Sequence, residues 1–339
     1  MKVCKIILLS VLSLIFACSS FGCGKKGEAV TVNVLLPDGA PALALAGIFY
    51  GGEEEKAENA LNCKDAILPG YDVRFALGQE SAIATSVAAG RADIAIMPTN
   101  SAAVLYNKGT DVKLALVNVH GLLYMVGKTS LSSLDALKGK VVYSIGEGGT
   151  PDYIFKYLLT KNGIAYEKSD VPEEGKVAIT YVEGGSALIP LLKQGKAEYG
   201  ILGEPAVTNA CEKAGVSVVM DLQRAMGGAT AVPQASLVIS GKLLREHPDF
   251  VKAFVKKVKE GNDWLPEHLT EAAQAVARLG STALSSGKIS AETFDRCNIF
   301  AQDAKDAKEN VKEYLTVLMD FNPAAVGGKL PDEGFWYNE

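Results

Sequence analysis

The loops Pro37 to Pro41, Gly78 to Ser81, Pro98 to Ser101, His120-Gly121, Gly146 to Tyr153, Glu183 to Ser186 and Gly203 to Pro205 contain no Arg or Lys. They do contain Asp38, Glu80, Glu147, Asp152, Glu183 and Glu204, with Ser, Thr and Asn among them. Carboxylates accept hydrogen bonds and attract positive charge, so this set suits an amine, a heterocycle with N–H groups or a polyol. A sulfonate or dicarboxylate site gains from an Arg fork, which these loops lack. Each acid also has a plainer reading as a helix cap that complements the dipole. Helix N-termini hold anions without Arg, so a sulfonate-like solute stays open. The candidate ligand-binding residues are Asp38, Gly39, Ala40, Glu80, Ser81, Thr99, Asn100, His120, Gly148, Thr150, Tyr153, Glu183, Ser186 and Glu204.

Residues suited to catalysis or metal binding are scattered. His120, His247 and His268 do not cluster; the last two stand at helix starts, and His120 either faces ligand or packs. The cysteines at 4, 18, 23, 63, 211 and 297 form no CxxC and no metal spacing. Cys63, Cys211 and Cys297 read as isolated apolar thiols, with pairing left open. No Ser/His/Asp triad can be assembled, so no enzyme, cofactor or metal ion is expected. Gly146 to Thr150 lacks the Lys-Ser/Thr of a P-loop and lacks GxGxxG, which argues against a nucleotide cradle. Its N–H groups at a helix start, with Thr150, are donors for a ligand. The formal net charge of -5 is dispersed, which argues against a nucleic-acid surface.

The elements that position these loops form a repeat. Ala89-Gly90-Arg91-Ala92-Asp93-Ile94-Ala95-Ile96-Met97-Pro98 returns as Gln194-Gly195-Lys196-Ala197-Glu198-Tyr199-Gly200-Ile201-Leu202-Gly203, followed by Glu204-Pro205. Each copy ends a helix at Gly and enters an apolar strand that stops at a polar loop. Strands are expected at 30–35, 71–77, 93–97, 112–117 and 122–126, and again at 140–145, 178–182, 217–220 and 236–239, with a helix over 42–50 after Pro41. Beyond Gly241 the chain reads as helix, with Phe250, Val251, Phe254, Val255 and Val258 on one face. Phe335, Trp336 and Tyr337 in the turn-rich tail are expected to dock. The pattern predicts α/β architecture in two lobes, each a mixed, mostly parallel sheet flanked by helices, with the cleft between them at the strand ends. Residues 28–118 with 236–339 make the first lobe and its C-terminal helices, and 119–235 the second.

Lys2 and Lys5 precede a 12-residue apolar run, Ile6 to Ala17, which reads as an export signal. Ile15-Phe16-Ala17-Cys18 and Phe21-Gly22-Cys23-Gly24 each resemble a bacterial lipobox, so residues 1–23 form a signal and lipobox region with Cys18, or alternatively Cys23, as the acylated thiol. With Leu36-Pro37-Asp38-Gly39-Ala40-Pro41, the phrase at Ala89 to Ala95, Ser132-Ser133-Leu134-Asp135-Ala136-Leu137-Lys138-Gly139-Lys140 and Gly203-Glu204-Pro205, the chain resembles solute-binding lipoproteins of ABC importers. The branch is the nitrate/sulfonate/taurine-type or thiamine-precursor-type. The resemblance covers nearly the whole chain. It implies a type II periplasmic-binding fold, a small solute as cargo, an ABC permease and ATPase as partners, no cofactor, and a lipid anchor at the outer face of the cell membrane or in the periplasm. An enzyme of pyrimidine or menaquinone biosynthesis on the same fold, or a module serving a sensor, are the alternatives.

Overall fold

The computed structural model describes residues 29–55 and 59–338. The signal and lipobox readings at Cys18 and Cys23 lie outside the described residues. The first sheet opens with β1 (Val30–Leu36), β2 (Glu53–Glu55), β3 (Ala60–Lys64), β4 (Tyr71–Leu77), β5 (Ile94–Pro98) and β6 (Val112–Val119). The chain then builds a second sheet from β7 (Leu123–Gly127), β8 (Lys140–Ile145), β9 (Ala165–Lys168), β10 (Lys176–Val182), β11 (Tyr199–Gly203) and β12 (Ser217–Asp221). It returns to the first sheet as β13 (Ala235–Ser240) and β14 (Gln302–Asp303).

Strand orders β14-β6-β13-β5-β1-β4-β3-β2 and β12-β7-β11-β8-β10-β9 share one plan. In each sheet a parallel core, β4-β1-β5 or β10-β8-β11, is joined by one antiparallel strand that follows a crossing from the other sheet: β13 in the first, β7 in the second. The architecture is the two-lobed α/β arrangement that the periodicity implies. Strands covered on both faces must be apolar throughout, and Ile94 to Met97 are all buried.

The repeated phrase forms the same turn twice. Gly90 and Gly195 adopt φ of +68° and +71°, a left-handed conformation that favours Gly. Each is followed by a basic residue whose N–H donates to a carbonyl five residues back, Arg91 to Ser86 and Lys196 to Leu191, both at 2.9 Å. The acids are structural too. Asp93 accepts the Asn33 N–H at 2.9 Å, and Glu198 pairs with Lys140 at 3.0 Å.

Some local expectations change. The run 42–50 is two short helices, Ala40–Leu43 and Ala46–Phe49, instead of one. The second crosses the helix Pro248–Trp264 so closely that a Cβ on Gly47 would lie 2.6 Å from the Gly261 Cα. The break falls at Ala44 and Leu45, where apolar composition alone suggests a continuous helix. The edge strands β2, β9 and β14, and β3 beside β2, also escape the periodicity because they are short or polar. The expected face of the Pro248–Trp264 helix is buried, with Phe250 stacked on Tyr71 at 4.5 Å between ring centroids. The tail docks: Phe335 and Trp336 are buried, and the Tyr337 N–H donates to the Leu114 carbonyl at 2.9 Å.

Candidate functional site

A cavity of about 160 Å³ lies where the two sheets face each other. Pro37, Asp38, Ala40, Pro41, Glu80 and Pro98 line it from the carboxyl ends of β1, β4 and β5. Leu122 and Glu204 close it from the second sheet, and Gln234 and Ala235 from the returning crossing. Pro37, Asp38 and Glu80 are shared with a more open pocket of about 470 Å³ that includes Gln79 and Ser81. Parallel strands end on one side of a sheet, and the loops there carry the helix starts. Residues 38, 80 and 204 therefore converge although they are far apart in sequence.

The three acids in the cavity have different surroundings. Asp38 accepts hydrogen bonds from its neighbour Gly39 N–H (2.7 Å), Ser281 Oγ (2.5 Å), Thr282 N–H and Oγ1 (2.8 and 2.9 Å) and Ala283 N–H (3.1 Å). Burial pushes its carboxyl up, but the donors from Ser281, Ala283 and Thr282 outweigh that and hold it below the ordinary carboxylate value. Glu204, whose side chain is buried, is neutralised by Arg296 Nε. It also accepts from the Thr208 N–H (3.1 Å) and hydroxyl (3.0 Å). Glu80 stands at the first position of the helix Glu80–Ala88, at the cavity mouth, and is exposed. The surrounding walls desolvate its carboxyl and raise it above the ordinary value, with no hydrogen bond or charge acting the other way.

Other expected site residues are used within the protein. Thr99 Oγ1 bonds Ser236 Oγ at 2.7 Å, and Asn100 Nδ2 donates to the Ala325 carbonyl at 3.1 Å. Thr150 and Tyr153, at the start of the helix Thr150–Lys161, turn to the C-terminal region: Thr150 Oγ1 meets Tyr314 Oη at 2.8 Å, and Asn322 Nδ2 donates to Tyr153 Oη at 3.0 Å. The Gly148 N–H donates to Asp152 at 2.9 Å. Gly39 is buried at φ +87°. Glu183 and Ser186 are exposed and do not line the cavity.

His120 is fully buried at the first crossing, stacked on Phe300 with ring centroids 3.8 Å apart. Neither ring nitrogen makes a well-formed hydrogen bond, and burial lowers its pKa to about 4 despite a weaker, opposing interaction with the Phe300 main chain. It is neutral at physiological pH. Beside it, a Cβ on Gly121 would lie 2.4 Å from the Gln223 Cβ, while Gln223 Oε1 accepts the Leu123 N–H at 2.9 Å. Gly121→Ala is therefore expected to cost about 1–3 kcal/mol, read by urea unfolding, because the Gln223 stem must move out of a packed crossing.

Sequence reading missed Gln234, Leu122, Arg296, Ser281 and Tyr314. The first two flank the crossings and belong to apolar or turn-like stretches. The others come from the C-terminal region, which reads only as helix and turn, and no local signal ties them to loops so far away.

The arrangement is a two-lobed α/β fold with acceptor groups converging between its two sheets. The chain belongs to the NMT1/THI5-like family, whose model matches residues 69–272. It is similar to the crystal structure of an ABC transporter protein from Parabacteroides distasonis, with 24% identity and a TM-score of 0.72, over 92% of this chain and 99% of that one. It is also similar to the periplasmic aliphatic sulphonate binding protein of Escherichia coli, with 11% identity and a TM-score of 0.66, over 92% of each chain. A zinc-bound ligand-binding component of an ABC-type import system from Staphylococcus aureus has 14% identity and a TM-score of 0.57, over 91% of this chain and 98% of that one. No curated protein matches the sequence.

Proposed function

We propose that this chain is the extracytoplasmic solute-binding component of an ABC importer, capturing one small polar molecule between two lobes and delivering it to a membrane permease. The observation that carries this reading is the interlobe cavity, lined from both sheets and reached by two crossings that can act as a hinge. On this reading the lobes comprise residues 28–118 with 236–339, and 119–235. A lipid on Cys18 or Cys23 would keep the protein beside its permease.

The same cavity gives little support to an enzyme. The free thiols of Cys63, Cys211 and Cys297 are all pushed up by burial, Cys63 to about 11, so they are protonated and weak nucleophiles at neutral pH. No side chain hydrogen-bonds His120 to orient it as a base. Purified protein, unfolded and refolded to strip bound solute, is expected to gain several degrees in Tm with one small polar solute. At a hundredfold excess over Kd, binding adds about 2.7 kcal/mol. Chemical turnover of that solute, followed by mass spectrometry, would overturn the proposal.

A further inference from the structure

We propose that the solute is an organic cation, or the positively charged N–H end of a larger molecule, and that Glu80 receives it in the interlobe cavity; this rests on the solute-binding reading above. The cavity's lining residues include Asp38, Glu80 and Glu204 and no Lys, Arg or His. Arg296 cancels Glu204, and its three guanidinium nitrogens are occupied by Glu204, Glu292 and Thr208. Asp38 is satisfied only by neutral donors, which keep it ionised without cancelling its charge. Glu80, exposed at the cavity mouth, has neither donor nor cation within the protein.

The second observation is a neutral group. Gln234 lines the cavity with its Oε1 buried and without a donor. The Glu80 carboxylate at the cavity mouth is solvated and unpaired within the protein, and Gln234 Oε1 is a buried acceptor without a donor, so a ligand that presents donors complements the carboxylate. A sulfonate would have to enter beside two uncompensated carboxylates, in a site where reduced dielectric strengthens repulsion. Pro37, Pro41, Pro98 and Leu122 supply apolar walls for a short hydrocarbon portion. A cavity of this size holds roughly a benzene-sized group, and the adjoining open pocket admits a longer molecule.

Refolded, ligand-free protein is titrated with three sets of probes: ethylamine, benzamidine and agmatine; ethanesulfonate and propionate; and uracil. A cation is expected to raise Tm and to bind measurably by calorimetry, and Glu80→Gln is expected to weaken it at least tenfold. The unliganded E80Q protein should be as stable as the wild type, because the Glu80 side chain is exposed and makes no ion pair within the protein. Gln234→Leu gives an independent loss of affinity should E80Q fold poorly. Preferential binding of ethanesulfonate, propionate or uracil would overturn the cation assignment and leave the solute-binding reading standing. Cation binding unchanged in both variants would overturn the role given to Glu80. Silence across all three sets would count against both readings.

Discussion

Replacing Arg296 by Ala is expected to lower the unfolding free energy by about 3–5 kcal/mol, because it leaves a buried carboxylate without its cation. The Glu204 side chain is fully buried and the Arg296 side chain is 18% exposed, so the pair is largely withdrawn from water. Thr208 is disturbed as well, since its hydroxyl accepts from Arg296 Nη2 at 2.9 Å. The loss also reaches the relation between the lobes. Arg296 ends the helix Ala291–Arg296, and the chain beyond it bonds the first crossing, with the His120 N–H donating to the Asn298 carbonyl at 3.1 Å. This segment straps the C-terminal region to the second sheet. Urea unfolding measures the cost, and hydrogen exchange should show faster opening at residues 204–208 and 293–298. The double variant Glu204→Gln with Arg296→Met should recover most of the stability, since it removes both charges. A loss below about 1 kcal/mol for R296A would show that the strap does not depend on this pair.

Asp38→Ala is expected to cost about 3 kcal/mol, the second large effect. A hydrogen bond to a charged group contributes about 1.5–3 kcal/mol, and several donors here lose one acceptor at once, though such terms do not add. Ser281 to Ala283 would lose the group that organises their turn against the first sheet. The pH dependence has a definite sign. The folded-state carboxyl titrates below its ordinary value of 3.8, so its contribution is complete above that value and is lost as pH falls through the depressed one. The Tm gap between wild type and Asp38→Asn should be widest near pH 7 and narrow below about pH 4. A gap independent of pH would show that Asp38 acts through packing instead of charge.

These two acids illustrate how far the sequence carries. Their positions just after apolar strands place Asp38 and Glu204 at the cleft, and both line the cavity. Their consumption by internal partners could not be read, because Asp38 meets Ser281 across 243 positions and Glu204 meets Arg296 across 92. Glu80 carries the same kind of local signal, an acid at a helix start, yet it has no cation or donor. Thr150 and Tyr153 show the converse: a Gly-rich helix start that reads as a ligand cradle is covered by Tyr314 and Asn322.

Most of the elements, the two equivalent sheets and the loops at the strand ends are legible in the sequence, because periodicity, left-handed glycines and helix starts act over a few residues. The repeated phrase is the clearest case, with the same backbone bonds formed in both copies. Which acidic residues are satisfied and which remains open depends on contacts between distant segments. A carboxylate's partner is set by segments brought together through packing, and those segments carry no local mark of the group they will meet.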